Sequence, residues 1–340
     1  MGDRSPALHY EPYDDLGGAP NVVLDGSPTR GTVLCLTHWP GIVCPPEHAA
    51  DLSAQMAFSY LGAFDLHAGA EVVTNNHFDQ DGLVSVFALS EPDAALARRG
   101  LLIDVAAAGD FAVYTHREAA RISMVLAAWA DLERTPLAGV TELSDYSEMC
   151  ALFYAEALGM LSELCDHPDR FRSLWEEEDA GLSASEAALR SGAVTIEEVP
   201  DVDLAVVTVP EDAPDGGGHR FAAQWVTGLH PMAVHNATER GALLVHSGGR
   251  TTFTYRYESW VQYRSRAVRP RVDLSPLAEQ LTSEEPGAET WVAEPVSGLT
   301  PSLSVAGDGE SGLAPGRIGT LVEEHLRRAP AAWDPFPATP

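Results

Sequence analysis

The sequence predicts a two-domain α/β protein, with an N-terminal doubly wound, mostly parallel sheet flanked by helices and a smaller C-terminal α+β domain. A chain of 340 residues is long enough for two domains. Short apolar runs alternate with helical patterns up to about residue 190, and strand-like runs dominate afterwards. We therefore predict an irregular arm over residues 1–30, an α/β domain over 31–193 and an α+β domain over 194–340.

The first domain contains three predicted strands at a spacing typical of parallel β-α-β units. Residues 32–37 and 71–75 are buried strands by their apolar character, and 101–105 is predicted as the third. Helical patterns cover residues 51–64, 111–134 and 146–175, and another helix runs from Leu83 until Pro92 ends it.

The second domain is predicted from shorter apolar runs. The strands are 194–199, 203–209, 242–246 and 251–263, with helices at 275–281 and 317–328. If residues 250–266 were one regular strand, arginines would line one face and aromatic residues the other. Arginine forks bind phosphate and carboxylate, although pairing with nearby acidic side chains is the more common use of such a row. The arginines on this face are Arg250, Arg256, Arg264 and Arg266.

Charge and composition indicate which classes of binding partner and which compartment to expect. The net charge of −29 argues against binding to bulk duplex nucleic acid. No apolar stretch reaches the roughly 20 residues that span a bilayer, and the polar start lacks an apolar signal core, so we expect a cytoplasmic protein. All basic residues are arginines, which indicates GC-rich coding, and we expect a bacterial source. The four cysteines have no paired spacing and are expected to be reduced and packed.

The strongest chemical signal lies in residues 77–82, His-Phe-Asp-Gln-Asp-Gly, which follow the second strand. In parallel sheets, ligands bind beyond the carboxyl ends of the strands. A histidine and two aspartates within five residues concentrate negative charge that a divalent cation relieves. The alternative is a polar turn whose aspartates cap the next helix. We expect Gly82 to allow a tight backbone turn before that helix.

This segment resembles the first motif of the DHH phosphoesterase superfamily. The resemblance implies that His77, Asp79 and Asp81 bind metal, and that Asp104 corresponds to the second-motif aspartate that bridges two manganese ions. It also implies hydrolysis of phosphodiesters or pyrophosphates, with substrate bound by a smaller C-terminal domain.

A second fragment, residues 216–223, resembles the GGGHxxAA signature of that C-terminal domain, which contacts substrate phosphate. It would assign substrate binding to Gly217, Gly218 and His219. The chain departs from the family because it has no Asp-His-His tripeptide. Asp110 and His116 are the alternative sources of the missing ligands.

The leading hypothesis is therefore a metal-dependent hydrolase of a phosphate ester or anhydride that uses Mn²⁺, or else Mg²⁺, Fe²⁺ or Zn²⁺. Its expected partner is a small phosphate-containing anion held by Arg250, Arg256 and Arg264, and homodimer formation is left open. His38 or His116 would be the general acid. Two alternatives remain: a non-haem Fe(II) oxygenase that uses the His-x-Asp pair, and a non-catalytic nucleotide-binding protein on the same scaffold.

Overall fold

The computed structural model describes residues 7–61, 69–210 and 228–336. The chain divides into two units between Asp179 and Ala180, whereas the sequence placed the boundary after residue 193. The predicted α/β class is confirmed, since the first unit has a four-stranded parallel sheet and the second a six-stranded mixed sheet. Across the described ranges, no helix is both long and apolar enough to cross a membrane.

The first sheet consists of β1 (His9–Tyr10), β2 (Asn21–Leu24), β3 (Thr32–Leu36) and β4 (Val72–Thr74). Their order is β1-β4-β2-β3 and all pairs are parallel, so the carboxyl ends lie along the same edge. The prediction of an irregular arm over residues 1–30 is wrong for β1 and β2. Every residue of β2 is buried, because this strand lies between β4 and β3.

Seven helices occur in this part of the described chain, the last of which crosses into the second unit, and four of them match the predicted positions. The long pattern predicted over 146–175 is broken by a 3-10 turn at Pro168–Phe171 and continues as a second helix. The helices are α1 (Ser53–Tyr60), α2 (Gln80–Ser90), α3 (Pro92–Ala97), α4 (Arg99–Asp110), α5 (Arg117–Ala130), α6 (Tyr146–Asp166) and α7 (Arg172–Ser191).

The predicted third strand at 101–105 is wrong, because these residues lie within α4. The run of Leu, Ile and Val resembles a strand locally. The following alanines extend the apolar pattern at helical spacing, so that Leu102, Val105, Ala106 and Gly109 are buried on one face. Contacts at this 3.6-residue period outweigh the local preference of a five-residue stretch.

The second unit is built on a six-stranded sheet in the order β5-β6-β7-β8-β10-β9, in which only the β6–β7 pair is parallel. The strands β5 to β7 occur as predicted, and β9 and β10 were not predicted. The elements are β5 (Thr195–Val199), β6 (Leu204–Val209), α8 (Pro231–His235), β7 (Ala242–Ser247), β8 (Arg250–Tyr255), α9 (Ser275–Glu284), β9 (Trp291–Ala293), β10 (Ser302–Val305) and α10 (Pro315–Arg328).

Alternate residues of this sheet enter two separate cores, as the two-residue period of a strand requires. Leu244 packs with α9 and α10, whereas Leu243 and Val245 pack on the opposite face with Val234 of α8. The long strand predicted over 251–263 is wrong beyond Tyr255, since a 3-10 turn follows at Tyr257–Ser259. The arginines after residue 255 therefore do not continue one face of β8.

Candidate metal centre

Three parallel strands place polar side chains at one edge of the first sheet. Asp25 directly follows β2, and His38 lies two residues beyond β3. His77 and Asp79 lie in the loop after β4, and Asp81 occupies the first turn of α2. The convergence follows from the parallel topology, because all the carboxyl ends point the same way.

Asp25 lies at the middle of this cluster. Its carboxylate is almost fully buried, with Oδ1 at 3.4 Å from Nε2 of His38 and Oδ2 at 3.4 Å from Nε2 of His77. The hydroxyl of Ser53 donates a hydrogen bond of 2.8 Å to Oδ1. The backbone of Asp25 has a φ of 49°, a conformation that is rare for residues other than glycine and costs on the order of 1 kcal/mol. One carboxylate thus faces both histidines.

His38 is fully buried and has a defined orientation. Its Nδ1 contacts the main-chain oxygen of Asp51, and only a protonated Nδ1 donates to a carbonyl. In the neutral ring, Nε2 then carries the lone pair, which is the usual arrangement of a metal-binding histidine. Nε2 lies 3.4 Å from Asp110 and 3.9 Å from Asp81. The lone pair therefore faces carboxylates.

Asp81 connects the cluster to α1. Its two oxygens accept hydrogen bonds of 2.8 Å from the backbone amides of Ser53 and Ala54, which begin that helix. Amides at a helix start have no partner within the helix, so the carboxylate also caps it. Burial and then the charge of Asp25 raise the pKa of Asp81 well above its usual range, although the two amide hydrogen bonds act in the opposite direction.

His77 and Asp79 form the more accessible part of the cluster. Nε2 of His77 lies 3.0 Å from Oδ2 of Asp79, and the histidine side chain is 20% exposed whereas that of His38 is 0% exposed. The other oxygen of Asp79 accepts a hydrogen bond of 2.9 Å from the amide of Gly82 and caps α2. Burial alone would lower the pKa of His77, but the charges and hydrogen bonds of Asp79 and Asp25 raise it well above its usual range.

Within the described residues, the side chains form two groups that could each hold a cation. The ligand atoms of Asp25, His38 and Asp81 lie within 4.8 Å of one another, and so do those of Asp25, His77 and Asp79. Carboxylate oxygen and imidazole nitrogen suit Mn²⁺, Mg²⁺, Fe²⁺ or Zn²⁺. Because Asp25 belongs to both groups, the geometry fits two cations that share one carboxylate.

The sequence-predicted ligands divide into those that join the cluster and those that do not. His77, Asp79, Asp81 and His38 belong to it, and Asp110, the last residue of α4, contacts His38. Asp104 belongs to neither group, contrary to expectation, because it lies on α4 instead of at a strand end. Its two oxygens accept hydrogen bonds from the backbone amides of Thr115 and His116, at 2.8 and 2.7 Å.

His116 is also outside the cluster. Its side chain is 65% exposed, its Nδ1 lies 3.0 Å from Asp104, and it precedes α5 as the N-cap residue. Asp104 and His116 therefore organise the turn between α4 and α5. This contact gives His116 a structural explanation independent of the general-acid role predicted for it.

The predicted substrate-binding residues belong to the second unit. Arg250 is exposed at the start of β8, whereas Arg256 is buried and pairs with Glu258 at 2.6 Å. Arg264 lines a cleft formed after β8. The prediction for Gly217, Gly218 and His219 falls outside the described residues.

Asp25 is the site residue that the sequence interpretation missed. The usable signal was the apolar segment Asn21–Leu24 followed by Asp-Gly, the same strand-then-aspartate pattern that singled out residues 77–82. The surrounding proline, glycine and aspartate residues concealed this strand in a segment that we predicted to be irregular.

The fold and the cluster define a two-part α/β protein with a buried histidine–carboxylate centre. The chain belongs to a family of unknown function, DUF6687, whose profile matches residues 6–336. No curated protein matches the chain.

Proposed function

We propose that this protein is a metal-dependent hydrolase of phosphate esters or anhydrides, and that its centre holds two divalent cations bridged by Asp25. The observation that carries the proposal is the position of the Asp25 carboxylate. Its Oδ1 lies 3.4 Å from Nε2 of His38, and its Oδ2 lies 3.4 Å from Nε2 of His77. Two-metal hydrolases share a carboxylate between ions in this way. The resemblance to DHH phosphoesterases predicts the same class of reaction.

Charge balance supports two cations better than one. Asp25, Asp79, Asp81 and Asp110 are all buried, and their four carboxylates surround only two imidazoles. Buried carboxylates are costly unless they are paired or bind metal. Two divalent ions would neutralise the four negative charges.

The exposures of the two histidines indicate where substrate would approach. His38 and Asp81 are fully buried and would hold an inner cation, whereas His77 borders solvent and would hold an outer one. Ions held by these residues would activate a water molecule and offset charge on the phosphoryl oxygens. In the hydrolysis, the water oxygen would bond to phosphorus as the P–O bond to the leaving group breaks, and a water proton would pass to the leaving oxygen. The buried position of His38 supports a ligand role rather than the acid role predicted for it.

The first test is metal stoichiometry. After chelation, gel filtration with Mn²⁺ and elemental analysis, we expect about two ions per chain for the wild type and a loss of at least one for Asp25→Asn. Asp104→Asn is the matched control, since it makes the same change at a buried aspartate outside both groups. Equal metal content in all three proteins would refute the proposed centre.

The second test is turnover of bis-p-nitrophenyl phosphate, p-nitrophenyl phosphate and inorganic pyrophosphate with Mn²⁺. We expect Asp25→Asn to reduce kcat/KM about 100-fold or more, and Asp104→Asn to stay within about threefold of wild type if it folds normally. Metal binding without turnover of any phosphate compound would favour the non-catalytic alternative and reject the hydrolase. Equal activity of Asp25→Asn and wild type would also reject it.

The oxygenase alternative receives less support from this geometry. Non-haem iron oxygenases use two histidines and one carboxylate around one ion. Each of the two groups here contains one histidine and two carboxylates. The parallel sheet also differs from the jelly roll that usually carries that chemistry.

A further inference from the structure

The second unit contains a cleft of about 610 Å³ on the segment that follows β8. This volume lies in the range of roughly 300–1,000 Å³ that small-molecule sites occupy. Its walls include three guanidinium groups, two aromatic rings, one buried carboxylate and the exposed carboxylate of Asp334. The residues that carry the argument are Glu258, Tyr263, Arg264, Arg266 and Phe336.

Two of the guanidinium groups, those of Arg264 and Arg266, stack on aromatic rings. Arg266 lies 5.2 Å from the ring centroid of Tyr263, and Arg264 lies 5.2 Å from that of Phe336. Arg264 also donates a hydrogen bond of 3.2 Å to Oε1 of Gln262. These contacts orient both arginines at the wall of the cleft, and the stacking of Arg266 on a ring leaves its N–H edge for an anion.

Arg266 and Glu258 have unused hydrogen-bonding capacity. Among the described residues, Arg266 has no hydrogen bond, and its nearest carboxylate is Oε1 of Glu258 at 3.7 Å. That oxygen already pairs with Arg256 at 2.6 Å. The second oxygen, Oε2, is buried and has no hydrogen-bond partner in the described chain. A buried carboxylate oxygen left in this way costs free energy that a ligand donor would recover.

Arg269 shows the contrasting, structural use of an arginine in the same cleft. Its guanidinium donates to the main-chain oxygens of Asp201 and Leu326, at 3.0 and 2.7 Å. Among the described residues, Arg266 makes no such hydrogen bond and has only the ion pair of 3.7 Å with Glu258. Its N–H groups therefore retain the capacity to bind an anionic ligand.

We propose that this cleft binds a small organic anion with a flat ring and a hydrogen-bond donor. Arg266 and Arg264 bind its carboxylate or phosphate, Tyr263 and Phe336 contact its ring, and Oε2 of Glu258 accepts from its N–H or O–H group. The site is independent of the metal centre, so either proposal stands if the other fails.

Isothermal titration calorimetry tests this site on chelated, full-length protein with three probes: adenosine monophosphate, 4-aminobenzoate and inorganic phosphate. We expect at least one ring-bearing anion to bind with a Kd below about 1 mM and more tightly than inorganic phosphate. Arg266→Gln should weaken that binding about tenfold or more, the usual effect of losing a hydrogen bond to a charged group. Comparing the phosphate and carboxylate probes identifies the preferred anionic group.

Arg328→Gln is the matched control, because it removes the same charge from an exposed position of the second unit outside the cleft. It should change the Kd less than about twofold. Repeating the titration with Asp25→Asn separates this site from the metal centre, and unchanged affinity is expected. Three results would overturn the proposal: equal weakening by Arg328→Gln and Arg266→Gln, loss of binding in Asp25→Asn, or no preference for ring-bearing anions.

Discussion

Three residues of the candidate metal centre were predictable from local spacing, whereas Asp110 was expected only as an alternative ligand and Asp25 was missed. His77, Asp79 and Asp81 stand within five residues after an apolar strand, so their chemistry is visible in one short segment. Asp25 and Asp110 are 85 positions apart, and neither has another candidate ligand beside it in the sequence. Only the fold brings both to His38, at 3.4 Å each. Isolated aspartates carry no such signal, because most of them are surface residues or helix caps.

Gly82 packs against the centre for a different reason from the one predicted. We expected a tight turn, but Gly82 lies in α2 and is not among the glycines with positive φ. A Cβ atom added there would lie 2.2 Å from Nδ2 of Asn75 and 2.8 Å from the hydroxyl of Tyr154. The absence of a side chain lets these two groups approach the helix.

Gly82→Ala should therefore destabilise the protein by about 1–3 kcal/mol, because the new methyl group overlaps buried atoms. Urea denaturation followed by circular dichroism measures the change. Gly159→Ala is the control: Gly159 also lies in a helix, α6, but a Cβ there would meet nothing within 4 Å. That variant should be stabilised by about 0.5–1 kcal/mol, since alanine favours helix. Equal effects at both positions would contradict the packing role of Gly82.

At the scale of elements, helices with a clear period were predicted correctly, whereas a short apolar run was mistaken for a strand. The patterns for α1, α5, α9 and α10 have the periodicity of one buried face, and each helix occurs where expected. The five residues at 101–105, four of them apolar, span too few helical turns to show a period, and α4 was missed for that reason. Because residues 101–105 were predicted as a strand, Asp104 was expected at the edge of the sheet, whereas it lies on α4.

Helices α5 and α7 are joined by a charge network around Asp179. Its carboxylate accepts from Arg117 at 2.5 Å and from Arg121 at 3.1 and 3.2 Å. Burial by itself would raise the pKa of Asp179, but the two guanidinium groups lower it below its ordinary value. A carboxyl group with a lowered folded-state pKa contributes stability above its unfolded pKa of about 3.9, and this contribution disappears as the pH falls through the folded pKa.

Asp179→Asn should lower the free energy of unfolding by about 1–2 kcal/mol at pH 7, because charged hydrogen bonds are lost. The difference from wild type should stay constant between about pH 5 and 7 and shrink below about pH 4. Urea unfolding across this pH series measures it. Glu177→Gln, an exposed charge loss on the same helix, should show little effect at any pH. A difference that persists unchanged at low pH would show that the carboxylate charge is not the cause.

At the scale of the whole molecule, the buried charge of the candidate metal centre would link ion binding to folding. Four buried aspartates repel one another in the absence of cations, and an ion that binds the folded chain raises its stability by mass action. At a free concentration about 1,000 times Kd, one site contributes about 4 kcal/mol. The centre is therefore expected to affect the thermal stability of the chain.

Mn²⁺ added to the chelated protein should raise Tm by several degrees in differential scanning fluorimetry, and excess EDTA should reverse the change. Asp25→Asn should abolish most of the increase. Asp104→Asn should show the same increase as wild type, although its Tm without metal should be lower. An increase of the same size in Asp25→Asn would mean that the ions bind elsewhere on this acidic chain.

Sequence alone determined the α/β class, most of the helices, strands β3 to β7 and the three candidate ligands that stand together at residues 77–82. These features depend on periodicity and on chemistry within a few neighbouring positions. Tertiary structure decided that residues 21–24 form an inner strand, that Asp25 faces both histidines, and that Asp104 lies elsewhere. Those outcomes depend on which strands pair and on which helix carries a residue. Such long-range contacts are set by burying the whole sheet, so no short segment of the sequence contains them.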